Sequence, residues 1–308
     1  MSHQLPSLNR LLELVIVISI LTSANSVQAQ QDDDVVRINS DLVVLNVTVT
    51  DHAGQYVPGL LRPDFRIFED GKEVPLSSYA GFSVQETPFA SVVLLDSSGS
   101  MESRLSLARS AAIRFLDELR DEDVAAVYKF DTKIEQLRDF IGGRDLGPMA
   151  FGVKANGMTV LNDAIVKASS ALAERPEKRK AILVLSDGVD TYSKATAAKA
   201  LDVALATGAS IYTVDMSASD GNASRNAQSA AVLKNFADKS GALFVAAAGG
   251  QALRDAFSTI AQELGHQYTI AYRPLNRAHD GRWRNIEVKL SRENLTARTR
   301  KGFRAPKK

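Results

Sequence analysis

Asp96, Ser98 and Ser100 stand at positions i, i+2 and i+4 of the run D-S-S-G-S, with Gly99 to let the loop bend. Such a loop can turn three oxygens toward one point. Asp187, in S-D-G, adds a second carboxylate, and Thr159, in N-G-M-T, adds a further hydroxyl. These are hard donors with no imidazole or thiolate among them. They suit Mg²⁺, Mn²⁺ or Ca²⁺ rather than zinc or copper. Two carboxylates buried side by side also need a cation or a proton to offset their repulsion. Composition leaves little other metal chemistry. The chain has no cysteine and four histidines, which excludes disulfides, thiolate nucleophiles, iron–sulfur clusters and Cys-ligated zinc.

In an open parallel α/β sheet, ligands bind beyond the carboxyl ends of the strands. Residues 90–95 (ASVVLL) are a continuous apolar run, the pattern of a strand buried on both faces, and they lead straight into Asp96. Residues 181–185 (AILVL) lead in the same way into Ser186 and Asp187. Thr159 precedes a helical pattern over 161–172. Further helices are predicted over 105–119, 195–206, 227–239 and 252–264, and strands over 124–130, 210–214 and 242–246. This alternation predicts an α/β fold: a doubly wound, mostly parallel sheet with helices on both faces. The flanks differ. Residues 41–50 (DLVVLNVTVT) alternate apolar and polar, residues 65–69 form a second strand, and Asp70-Gly71 is a two-residue hairpin signal with a return over 72–76. Beyond residue 265, stretches 268–272, 286–290 and 296–300 alternate again. These pieces cannot bury a core alone, so they are expected to pair with residues 31–85 in a small β domain built from both ends of the chain.

The D-S-S-G-S run resembles the D-x-S-x-S metal-binding loop of von Willebrand factor A domains. G-M-T-V-L (157–161) matches the Thr loop of those domains, and L-S-D-G (185–188) matches the Asp loop, in the same order behind the same elements. The resemblance spans about residues 88–265. The flanks look like those of an exported bacterial group of such proteins, abundant in acidobacteria. The resemblance implies that Asp96, Ser98, Ser100, Thr159 and Asp187 form a metal-ion-dependent adhesion site. It implies a divalent cation there, Mg²⁺ first and Mn²⁺ or Ca²⁺ as alternatives. An open coordination position would be filled by an acidic side chain of a partner protein, and no catalysis is implied.

Other readings compete with this one. D-S-S-G-S alone could be a Ser-rich turn capping the helix that begins near Ser103. Asp131, Asp190 and Asp215 also follow strands and read as helix caps or loop acids. G-V-K-A-N-G-M-T (152–159) mimics a phosphate loop, but Met158 occupies the place of the required Lys. The rival from another class is a haloacid-dehalogenase-like, Mg²⁺-dependent phosphatase with Asp96 as nucleophile and Asp187 and Asp190 as the distal pair. That chemistry needs a second acid at position 98, where Ser98 stands.

The termini carry their own signals. Residues 1–29 have a polar start ending in Arg10, an apolar run over 11–24 and small residues at a V-Q-A site, the layout of a secretory signal peptide. The expectation is export to the periplasm, the cell surface or the medium. The organisation expected is a signal peptide over 1–29, a β segment over 30–87, the α/β domain over 88–265 and a basic β segment over 266–308. That last segment has 12 Lys and Arg against 3 Asp and Glu, a net of +9, so the other 265 residues sum to −8. Arg282, Arg284, Lys289, Arg292, Arg298, Arg300 and Lys301 alternate with apolar residues and are expected on the solvated face of a sheet. Contact with an anionic membrane or polysaccharide is the functional alternative. Nucleic acid is not expected as a partner.

Overall fold

The computed structural model of the chain describes residues 42–84, 87–142, 153–187, 190–217, 223–247 and 250–307. They belong to one unit, Asp41–Lys308. The expected signal peptide lies outside the described residues.

The central sheet has six strands in the order β10-β9-β8-β5-β6-β7. They are β5 (Phe89–Asp96), β6 (Val124–Phe130), β7 (Ile134–Gly142), β8 (Arg179–Ser186), β9 (Ala209–Asp215) and β10 (Phe244–Ala246). All neighbours pair in parallel except β6 and β7, which are antiparallel. Every residue of β5 and β9 is buried, as apolar runs covered on both faces must be. The helices are α1 (Leu105–Asp117), α2 (Leu161–Ala173), α3 (Ala197–Ala206), α4 (Ala223–Ser240) and α5 (Gly250–His266). α1 and α5 pack over one face, where Phe115, Leu116, Phe257 and Ile260 meet Val93, Leu183 and Val214. α2, α3 and α4 cover the other, where Leu161, Ile165, Leu205 and Phe236 meet Val92, Leu94 and Val184. This is the doubly wound α/β architecture expected.

The two flanks form a pair of four-stranded antiparallel sheets. One has the order β13-β1-β11-β4, from β1 (Val43–Asp51), β4 (Tyr79–Ser83), β11 (Tyr268–Tyr272) and β13 (Leu295–Arg298). The other has the order β14-β12-β2-β3, from β2 (Phe65–Glu69), β3 (Lys72–Glu73), β12 (Trp283–Leu290) and β14 (Gly302–Arg304). Val43 pairs with Tyr272 and Ile67 with Val288, so the N- and C-terminal segments are interleaved strand by strand. Leu45, Val47, Phe65, Ile67, Tyr268 and Ile270 share one core. The β2–β3 turn holds Asp70 and Gly71 at φ 48° and 78°, the positive angles a two-residue hairpin needs.

The basic C-terminal segment departs from expectation in part: Arg282, Lys289, Arg292 and Lys301 are exposed as expected, whereas Arg298 is half-buried and two others are buried. Arg284 is 3% exposed and Arg300 9% exposed, so neither lies on a solvated face. Arg284 meets Asp280 at 3.0 Å. Arg300 Nη1 donates to the Leu205 carbonyl in the last turn of α3 at 2.9 Å, and Arg298 Nη1 donates to the Gly241 carbonyl just past α4 at 2.8 Å. The Lys301 N–H donates to the Lys239 carbonyl. The Arg298 and Arg300 guanidiniums and the Lys301 backbone N–H thus satisfy orphan carbonyls at helix C-termini, where the helix dipole favours the two positive charges. Burial pulls the Arg300 guanidinium down to about 10, so it stays charged near neutral pH. The approach is close: Gly241 has φ 80°, and a Cβ there would run into the Thr299 and Arg300 backbone.

Candidate metal site

Three loops meet at the carboxyl edge of the central sheet. The first begins with Asp96, the last residue of β5. Its carboxylate is inaccessible and held on both sides: Oδ1 accepts the Ser98 N–H at 2.9 Å, and Oδ2 accepts the Ser186 hydroxyl at 2.5 Å. The Ser98 and Ser100 hydroxyls lie 3.2 Å apart. Ser97 points elsewhere, its hydroxyl donating to the Phe130 carbonyl and to Asp131.

Backbone bonds stitch the second loop to the first. The Gly99 N–H donates to the Gly157 carbonyl at 3.1 Å, and the Asn156 N–H to the Ser97 carbonyl at 2.8 Å. Gly157 has φ 76°, and a Cβ there would collide with Thr132 Oγ1, which accepts the Met158 N–H. Only glycine fits that approach. Thr159 follows, 4% exposed. Its N–H donates to Thr191 Oγ1, and its carbonyl accepts the N–H groups of Thr191 and Tyr192, each at 3.0 Å. On either side of it Met158 and Tyr192 are 49% and 56% exposed.

Asp187 opens the third loop, directly after β8, and is 1% exposed. Its carbonyl accepts the Ser229 hydroxyl, and the carbonyl of its neighbour Ser186 accepts the Met216 N–H at 3.0 Å. The Asp96 carboxyl is raised to about 6. Burial is the main cause, the hydrogen bonds from Ser186 and Ser98 work against it, and the nearby charge of Asp187 adds to it.

The five residues singled out from the sequence therefore sit on three loops at one edge, held by specific bonds. Sequence reasoning missed Ser186, which looks like the end of a buried strand until its hydroxyl is seen on Asp96. It also missed Thr132 and Thr191, which brace the Thr159 loop and carry no motif. Asp190 is a structural acid: it accepts the Asn162 N–H at 2.8 Å at the start of α2 and the Ser193 hydroxyl at 2.6 Å.

The donor chemistry suits a hard cation. Among the described residues no three His, Cys, Asp or Glu side chains converge to hold an ion. An ion at this edge would therefore have to take hydroxyls together with carboxylates, which is the mixture Asp96, Ser98, Ser100, Thr159 and Asp187 supply. Two buried carboxylates, one raised by burial, are the groups that a cation relieves.

Residues 91–189 match the family model of the von Willebrand factor type A domain, a span that contains all five residues. The matched span runs from β5 to just past the end of β8 in the central α/β unit. Solved structures with a similar course include the PilB minor pilin from Streptococcus sanguinis (16% identity over 59% of this chain and 62% of that one, TM-score 0.47). Others are a von Willebrand factor type A protein from Catenulispora acidiphila (14% identity, 73% of each chain, TM-score 0.48) and the vWF domain of the type V pili tip protein Mfa5 from Porphyromonas gingivalis (15% identity, 58% of this chain and 95% of that one, TM-score 0.46). The chain thus spans under two thirds of the pilin's length. No curated protein matches the chain.

Proposed function

We propose that the chain is an exported, non-enzymatic protein-binding module whose contact depends on a divalent cation. Asp96, Ser98, Ser100, Thr159 and Asp187 would hold the ion, with Mg²⁺ preferred and Mn²⁺ or Ca²⁺ as substitutes. When bound, the ion would supply positive charge to a carboxylate of a partner protein. The observation that carries this reading is the buried Asp96 carboxylate, held by Ser98 and Ser186 beside a second buried carboxylate on the next strand's loop.

The chain's own residues do the rest. Ser98 and Ser186 orient Asp96, Gly157 lets the Thr159 loop come close, and Met158 and Tyr192 offer an apolar rim to whatever side chain neighbours the partner's carboxylate. Export is supported by the three-part layout of residues 1–29. Calorimetric titration of the protein with Mg²⁺, Mn²⁺ and Ca²⁺ is the direct test. Saturable heat that Asp96→Ala abolishes is expected. No heat, or heat indifferent to Asp96→Ala, would refute the site. Phosphate-ester turnover abolished by Asp96→Asn would refute the non-enzymatic reading.

A further inference from the structure

The loop after β9 repeats the chemistry of the loop after β5. In sequence, D-M-S-A-S at 215–219 has the same D-x-S-x-S pattern as D-S-S-G-S at 96–100. Residues 218–222 lie outside the described residues, so the comparison rests on Asp215 and Ser217. Asp215, like Asp96, is the last residue of a buried parallel strand of the central sheet. Its exposure is 2%. Its Oδ1 accepts the N–H of the serine two residues on at 2.8 Å, against 2.9 Å in the first loop. Asp215 pairs in register with Ser186, and Ser186 donates to Asp96. Ser186 therefore stands between the two carboxylates, on the strand between theirs.

The hydroxyls distinguish the two loops. In the first, Ser98 lies 3.2 Å from Ser100 Oγ and hydrogen-bonds to Asp96. In the second, Ser217 is 2% exposed, and its Oγ is shut off from solvent with no hydrogen-bond partner among the described residues. Buried hydroxyls are almost always satisfied. The same turn sets the Ser217 N–H on Asp215, and the Ser217 hydroxyl, two residues from that buried carboxylate, is left unused. A hard cation completes such a pair.

We propose that Asp215 and Ser217 form a second cation site, beside the Asp96 site and independent of its five residues. Mg²⁺ fits best, because it is a small, hard cation commonly held through as few as one or two carboxylates. The test is ion stoichiometry of the full chain, by equilibrium dialysis with Mg²⁺ and by electron paramagnetic resonance with Mn²⁺. Two ions per chain are expected. Asp215→Asn and Ser217→Ala should each weaken one of them by about tenfold or more and leave the other in place, while Asp96→Ala should remove only the other. Ser217→Ala deletes an unsatisfied hydroxyl and should keep the native melting temperature, so it decides the matter if Asp215→Asn fails to fold. One ion that is lost through Asp96→Ala but indifferent to Ser217→Ala would overturn this inference and leave the proposed function standing. Two ions both indifferent to Ser217→Ala, or one ion lost through either Asp, would also overturn it. No ion at all would overturn both.

Discussion

Asp96 is the residue on which the site turns. Both of its oxygens are engaged before any ion arrives. Its carboxyl is raised to about 6 because burial outweighs the hydrogen bonds from Ser186 and Ser98. The positions around it can be ranked by what they touch. Gly157→Ala would drive a methyl group into Thr132 and push the Thr159 loop away from Gly99. It should weaken Mg²⁺ by tenfold or more, on the order of the loss seen when a supporting shell is disturbed, with little change in far-UV circular dichroism. Met158 and Tyr192 are exposed beside Thr159, and neither side chain is among the proposed ligands. Met158→Ser with Tyr192→Ser should leave calorimetric Mg²⁺ affinity unchanged. On an array of peptides each carrying one Asp, it should lower binding to those with an apolar residue beside the Asp, by about 1–2 kcal/mol for the lost apolar contact. Equal loss on peptides with polar neighbours would refute the rim's role.

The five candidate residues stand out in the sequence for a physical reason. Asp96 stands where an apolar run stops, Ser98 and Ser100 follow it closely, Asp187 comes two residues after the next such run and Thr159 just before a helix, and a strand buried on both faces leaves few other places for oxygen to go. Ser186 obeys the same rule but sits one residue before the more conspicuous Asp187, and a serine at a strand end has no distinguishing pattern.

At the scale of elements, long buried strands and amphipathic helices could be read directly. β7 could not. Its residues I-E-Q-L-R-D-F-I-G form a half-exposed antiparallel edge, where charges on both faces erase the alternation and also guard the edge. β4 was missed because Gly81 interrupts a five-residue strand. Arg298 and Arg300 show the opposite failure: alternation with apolar residues suggested solvent, but these two are turned toward the ends of α4 and α3.

One buried network ties these elements together. Glu263 on α5, 1% exposed, accepts the Tyr212 hydroxyl at 2.8 Å and an ion pair from Arg298. Gln267 donates to Tyr212 at 2.9 Å and to Thr48 on β1 at 3.3 Å. Burial, and then the Glu263 charge, push the Tyr212 hydroxyl far up, so it remains a donor. Arg298→Ala would strand the Glu263 charge in the core. A loss of roughly 3 kcal/mol is expected in urea unfolding, the low end for breaking a buried pair because Arg298 is partly exposed. Arg298→Ala combined with Glu263→Gln should recover part of it, whereas a merely local packing defect would not be rescued.

For the whole molecule, the near-neutral charge conceals a division of labour. The segment from residue 266 onward carries the net +9, and part of it is spent inside the protein, at helix ends that belong to the central domain. A chain ending at residue 294 would lack β13, β14, Arg298 and Arg300. It should melt at least about 10 °C lower by circular dichroism, since several kcal/mol are at stake and each shifts a domain of this size by about 2–4 °C. An unchanged melting temperature would show that the C-terminal segment merely decorates the fold.

Strand order also sets a timetable. β1 is made early, but the strands on either side of it, β11 and β13, are made near the end of synthesis, and Val43 waits for Tyr272. Until then β1 has two bare edges, a template for wrong pairing. The central helices and strands, whose contacts are nearer in sequence, can assemble meanwhile, so closure of the β sheets is the slow, late event set by long-range pairing. A growing chain of this kind needs its first strand kept out of mischief for most of its length, by a chaperone or by being threaded elsewhere before it folds.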